Sequence, residues 1–210
     1  MRALWSMLAL VTLLGCESTY YNAMEKVGVH KRDILVDRVD EAKGAQLETQ
    51  QQFKDALSEF RAVVSIEGGD LEARYKRLKN EYDDSETAAR NLSERIEKVE
   101  SVAEALFDEW EDELKLYSNS RLRADSESKL KATQRQYRGL LSAMQRSEKS
   151  VEPVLAALRD NVLYLKHNLN ASAIGALKGE LNTIDRDVQK LISAMESSIK
   201  ESDEFIRQLK

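Results

Sequence analysis

Apolar residues recur along most of this chain at alternating steps of three and four, the spacing that keeps one stripe on one face of an α-helix. The first run is Leu35, Val39, Ala42, Gln46, Thr49, Phe53, Ala56, Phe60 and Val63, and it predicts a helix over 33–66. The second runs from Leu71 through Leu78, Leu92, Ile96, Val99, Ala103, Leu106 and Trp110 to Tyr117, nearly seven heptads, and predicts a helix over 71–117. A third predicted helix covers 121–168, with Leu130, Tyr137, Leu140, Met144, Val151, Val154, Leu158 and Leu165 on its seam. A fourth covers 171–209, with Ile174, Leu177, Leu181, Ile184, Val188, Leu191, Met195, Phe205 and Leu209, and Ile192, Ile199 and Ile206 widen the stripe.

Short polar breaks separate these runs. Gly68-Gly69 supplies left-handed positions that end a helix, and Asp70 is placed to cap the next. Ser118-Asn119-Ser120 and Asn168-Leu169-Asn170 form the other two turns. Turns this short make consecutive helices antiparallel neighbours, so the expected fold is all-α: an elongated antiparallel helical bundle, or coiled coil, of four long helices. The second and third helices are the longest, so their hairpin should protrude as a two-helix tip around residues 106–134. The chain enters the bundle at that end, which puts the 118–120 turn nearer any N-terminal anchor, provided that the entering segment does not double back.

Two features modify the pattern. Pro153 lies inside the third run, where it removes a backbone donor and crowds the preceding turn, so a kink or local break is expected near Ser150. The segment from Val151 to Leu165 is apolar over a wider arc and is expected to be the most buried part. Polar residues also occupy the seams: Gln46, Thr49, Ser85, Ser147, Asn161, Ser198 and Ser202. They either fix the register of the helices or line a narrow wet channel.

Composition supports long solvated helices: 33% of residues are charged, and there are one proline and eight glycines. The formal net charge of −5 argues against broad electrostatic binding to nucleic acid or anionic lipid, while local basic strips stay open to binding. The N-terminus adds location. Met1-Arg2 precedes an apolar run from Ala3 to Leu14, too short to span a bilayer, and the run ends in Leu13-Leu14-Gly15-Cys16. This has the form of a lipobox, although Leu14 is larger than the residue usual there. Cys16, the one cysteine of the chain, is the expected lipid-attachment site. The expected organisation is a lipoprotein signal peptide over 1–15, a lipid-anchored tether over 16–32 and the helical bundle domain over 33–210. Glu17 leans the expected location toward the inner leaflet of the outer membrane, facing the periplasm, rather than the inner membrane.

Candidate chemistry is sparse, and no catalytic residue, metal site or cofactor is expected. His30 and His167 fall at opposite ends of the rod, about 50 Å apart, and lack the Glu-x-x-His spacing of a di-iron bundle. Glu104, Asp108, Glu109, Glu111, Asp112 and Glu113 surround Trp110, and basic residues lie across the hairpin. Pairing about the turn sets Asp108 near Lys131 and Glu104 near Arg135. Interhelical ion pairs fixing register are one reading; a partner-docking surface is the other. Trp110, Leu116, Tyr117, Arg121, Leu122 and Arg123 are the candidate partner-binding tip, with Trp110 either in the core or available to a partner. Gly175 and Gly179 are spaced as in close-packed helix pairs, or carry no meaning in a soluble helix.

The runs Tyr20–Val39, Gly68–Ala73, Leu106–Leu114, Val154–Asp160 and Leu163–Asn170 resemble an uncharacterised, all-helical family of Gram-negative bacterial lipoproteins. The resemblance covers essentially the whole chain after Cys16 and implies no catalytic residues. The expected function is therefore an envelope scaffold, spacer or adaptor, with the membrane as one partner through the N-terminal lipid and an envelope protein as the other. The alternative is peripheral binding to lipid or peptidoglycan through the tip. Pairing of the hairpin with a second copy stays open.

Overall fold

The computed structural model describes residues 21, 24, 28–65 and 70–210. Among the described residues five helices make four rods: α1 (Lys31–Ser65), α2 (Leu71–Leu114), α3 (Ser120–Lys149), α4 (Val151–His167) and α5 (Ala171–Leu209). α3 and α4 follow one another as the third rod. Each rod packs on two others in a closed ring, α1 on α2, α2 on α3 and α4, these on α5, and α5 back on α1. Cross-helix ties fix the antiparallel sense: Lys43 meets Asp203 while Arg61 meets Asp185, so α5 descends as α1 rises.

Short polar side chains start the helices where the sequence places them. The Asp70 carboxylate accepts from the Ala73 N–H at 3.2 Å, and the Asn170 side chain accepts from the Ala173 N–H at 3.1 Å. Asn119 accepts from the N–H groups of Arg121 and Leu122 at 3.0 and 3.2 Å. Each satisfies donors that the first helical turn leaves without partners. The Gly68-Gly69 turn lies outside the described residues. The end of α1 is held from the next rod instead: Arg74 is buried and donates to the Val63 carbonyl at 3.2 Å, where a cation also suits the helix dipole.

The seam of α1 is buried at every position from Leu35 to Val63. Phe53 and Phe60 are fully enclosed, and each large apolar side chain so buried contributes roughly 1.5–3 kcal/mol. α1 is the most enclosed rod, which corrects the expectation that residues 151–165 would be. In α4 the seam is buried at Val151, Val154, Leu158, Asn161 and Leu165, but Leu163 is 50% and Tyr164 41% exposed. Its wide apolar arc exceeds the surface that α2 and α5 offer it.

The third rod breaks at Ser150. Its N–H still reaches the Arg146 carbonyl at 3.2 Å and its hydroxyl donates to the Ser147 carbonyl at 2.6 Å. Pro153, in the first turn of α4, cannot donate to the turn before it, so the break falls where proline's missing donor is tolerated. α2 ends at Leu114, three residues before the expected boundary. The Leu116 N–H bonds back to the Glu113 carbonyl at 2.9 Å, an i+3 closure that tightens the last turn.

The polar seam residues form a buried layer. Gln46 of α1 donates from Nε2 to Ser147 Oγ of α3 at 2.9 Å and to Ser198 Oγ of α5 at 2.7 Å. Ser147 in turn donates to the Met144 carbonyl at 2.7 Å, and Ser202 to the Ser198 carbonyl at 2.9 Å. One side chain thus ties three rods, which supports the register reading; a shift of one turn would strand these groups in an apolar core. Gln46 Oε1 and Ser85 Oγ are buried without a partner among the described residues.

Outer ion pairs add little individually, about 0–1 kcal/mol each. Glu41 bridges Arg38 on its own helix and Arg95 on α2. Partial burial raises its pKa, but hydrogen bonds and attraction from Arg38 and then Arg95 outweigh this and leave it below the ordinary glutamate value. The bridge is therefore present at neutral pH and is lost only as pH falls through that lowered value.

Gln46→Ala leaves both serines without their donor and a void beside them, and should cost about 2–3 kcal/mol in urea unfolding. Gln46→Leu fills the void and removes the unpartnered Oε1, so its cost should stay below about 1 kcal/mol. A side chain added at Gly175 or Gly179 would meet nothing within 4 Å, so neither glycine serves close helix approach. Gly175→Ala and Gly179→Ala should each raise stability by roughly 0.5–1 kcal/mol in the same measurement.

Candidate functional site at the bundle tip

α1 begins and α5 ends before the hairpin of α2 and α3 does. Lys31, buried at the start of α1, bonds Glu109 at 3.1 Å, and Phe205 near the end of α5 lies 6.3 Å, ring to ring, from Tyr137. Tyr137 meets Phe107 edge-on at 5.4 Å, and its hydroxyl pKa is pushed upward by burial first and then by Glu100 and Glu104. This aromatic group closes the four-rod core. Leu106, Phe107 and Leu130 are buried in that core, so the free hairpin is 111–129 rather than the expected 106–134.

The predicted tip residues divide. Leu116 is 82% exposed, Leu122 49% and Tyr117 42%, and Arg121 and Arg123 are exposed beside them. Asn119 caps α3 between these groups, so the apolar side chains flank a polar apex. Trp110 stands apart from the rest. It packs against the core and is half-buried, and its indole N–H donates to Ser126 Oγ at 2.8 Å. It therefore holds the hairpin together, and that task accounts for its place on the seam.

The expected cross-hairpin ion pairs do not form. Among the described residues Lys131 pairs with Glu127 on its own helix at 2.6 Å, and neither Asp108–Lys131 nor Glu104–Arg135 is made. Lys129 likewise takes Asp125, and Lys115 takes Asp112. Hydrogen bonds that the lysines donate to these aspartates raise the lysine pKa values, and the bond from Lys131 lowers that of Glu127. A same-helix partner one turn away is nearer than one across the hairpin. Across it run two neutral-donor bonds instead: Trp110 to Ser126, and Gln134 Nε2 to Glu111 at 3.1 Å. A groove of about 510 Å³ remains between the two helices, with Asp108, Glu111, Asp112 and Lys115 on one wall and Arg123, Glu127 and Lys131 on the other.

The chain entering α1 does double back. Gly28 takes φ of +87°, and the Val29 N–H closes onto the Met24 carbonyl at 3.1 Å, the reversal that glycine permits at a helix end. Tyr21 is thereby laid against α2, buried to 4% exposure, with its hydroxyl 3.1 Å from Ser101 Oγ. Tyr21, Met24 and Val29, which fall in the segment expected to be tether, thus pack on the bundle. Cys16 and the lipobox residues Leu13, Leu14 and Gly15 lie outside the described residues.

The opposite end carries a patch that the seam pattern does not reveal. Leu163, Tyr164 and Leu169, the last 40% exposed, lie about the α4–α5 turn. Leu163 and Tyr164 fall between seam positions Asn161 and Leu165, and apolar residues off a seam are the signal that marks them. His30 and His167 are both exposed, at opposite ends of the rod. Among the described residues no group of three or more His, Cys, Asp or Glu is arranged to hold a metal ion, and no helix is long and apolar enough to cross a membrane.

The family described as protein of unknown function (DUF2959) matches residues 20–209, and the chain belongs to that family. No curated protein and no solved structure matches it.

Removing the Trp110–Ser126 bond should loosen the hairpin without unfolding the four-rod core. Ser126→Ala should cost about 1 kcal/mol and raise acrylamide quenching of the indole. Leu116→Ser with Leu122→Ser should leave the unfolding midpoint within roughly 0.5 kcal/mol of the parent.

Proposed function

We propose that this DUF2959 protein is a lipid-anchored, non-catalytic rod of the bacterial envelope, acting as a scaffold, spacer or protein-binding adaptor. In this reading Leu13-Leu14-Gly15 directs acylation of Cys16, and the mature chain faces the periplasm, with the outer membrane favoured over the inner. The observation that carries it is the separation of the two ends. The N-terminal chain joins the rod near the tip, whereas Leu163, Tyr164 and Leu169 stand at the far end of a core about 50 Å long. A rod fixed at one end and apolar at the other suits presenting that far end to an envelope protein. No residue is assigned a catalytic, metal-binding or nucleic-acid-binding role.

A second reading, peripheral binding to lipid or peptidoglycan, is favoured by the exposure of Leu116, Tyr117 and Leu122 at the tip. Self-association would use the same surface.

Two measurements test the first reading. Labelled palmitate should enter the wild-type chain and not Cys16→Ser, which should be recovered from the periplasm as a soluble protein; membrane retention of Cys16→Ser without label would count against the anchor. Photocrosslinkers at Leu169 and at Leu122 should give one dominant protein adduct from the far end. Self or lipid adducts alone from both positions would remove the adaptor role.

A further inference from the structure

The docking of Tyr21 fixes how far the anchor can lie from the rod. Cys16 is five residues before Tyr21, and a fully extended chain of that length reaches roughly 17 Å. Tyr21 is held beside Ser101, and from there α2 continues to Leu114 for about 20 Å before the turn at 115–119. If the chain after Cys16 runs toward the tip at full stretch, the apex still extends several Å past it. If it runs the other way, a bilayer across the rod would have to pass through the body, since α2 continues about 45 Å from Ser101 to Leu71.

Charge separates the remaining orientations. The flank of α2 beside Tyr21 carries Glu97, Glu100, Glu104 and Asp108 against Lys98, and would be repelled if laid on anionic lipid. The apex segment 115–123 carries no acidic residue and three basic ones, Arg121, Arg123 and Lys115, the last bonded to Asp112. Leu116, Tyr117 and Leu122 project there without cover. Basic groups around exposed leucine and tyrosine fit the headgroup boundary of a bilayer, where apolar side chains enter to a depth of about 5–10 Å.

We infer that the α2–α3 tip rests in the surface of the bilayer that holds the anchor, with Leu116, Tyr117 and Leu122 entering the interface and Arg121 and Arg123 facing anionic headgroups. The inference rests on acylation of Cys16. With Tyr21 docked, the tip and the lipid attachment meet one surface, and the rod stands on its tip with the 163–169 end outward.

The test uses the full-length acylated chain in vesicles of phosphatidylethanolamine and phosphatidylglycerol with brominated acyl chains. The acylated Cys16 has no free thiol, so an environment-sensitive fluorophore can be attached through Ser118→Cys, Asn168→Cys or Glu97→Cys in turn. The Ser118→Cys probe should shift to shorter wavelength and lose more than half its emission to the bromines, with the other two unchanged. Adding Leu116→Ser and Leu122→Ser should abolish that quenching while acylation, read by mass, is retained. An acylated, vesicle-bound chain whose Ser118→Cys probe stays as in water overturns the inference, as does quenching at Glu97→Cys, which would mean a rod lying on its flank. A mass showing no acyl chains overturns the anchor and the inference with it, and is a separate readout from a bound chain with a dry tip.

Discussion

An apolar seam on a helix can be buried only as far as a facing helix extends. This constraint sets the layout of the whole rod. α2 carries its seam from Leu71 to Trp110 because α1 and the third rod run beside it over that length. Beyond Trp110 α1 has ended, and the next seam positions, Glu113 and Tyr117, are exposed. Leu163 and Tyr164 are uncovered for a different reason: they lie off the seam of α4, while Leu165 beyond them is still fully buried. The tip is thus a product of unequal helix length, and the far patch of an apolar arc wider than its seam.

Most of the fold is legible in the spacing of apolar residues. Every seam position of α1 from Leu35 to Val63 is buried, including Gln46 and Thr49, whose side chains alone would not suggest a core. The caps at Asp70, Asn119 and Asn170 and the break before Pro153 follow from local chemistry that a sequence states openly. The unread features have a different origin. Tyr21 reaches Ser101 because of one left-handed glycine, a backbone event outside any period. Lys131 prefers Glu127 to Asp108 because charge tells which partners are attractive, not which is nearest. Of the candidate site, the exposed leucines and arginines of the tip were legible, whereas the role of Trp110 as its clasp required knowing that Ser126 lies opposite.

A bundle of four similar amphipathic rods has many near-equivalent ways to pack, since leucine against leucine is satisfied at several registers. The Gln46–Ser147–Ser198 layer discriminates among them. Its hydrogen bonds are complete on the donor side only when three rods are aligned. Surface pairs such as Lys43–Asp203 and Glu41–Arg95 agree with that alignment but are too exposed to impose it. The layer lies close in sequence to the Ser150 break, so the third rod is pinned by Ser147 where its backbone is least regular.

The closed ring of rods also bears on synthesis. α1 has the most enclosed face, and α5 supplies one side of that enclosure through the Ile192 carbonyl, Ser198, Asp203 and Asp185. A ribosome makes α1 first and α5 last. At roughly 5–20 residues per second, Phe53, Phe60 and their neighbours wait on the order of ten seconds or more for the helix that completes their cover. During that interval the seam of α1 lacks the cover that α5 gives it in the finished ring. Its fate then depends on whatever holds unfinished chains apart, and the order of helices along the gene, more than the stability of the finished rod, sets the length of that exposure.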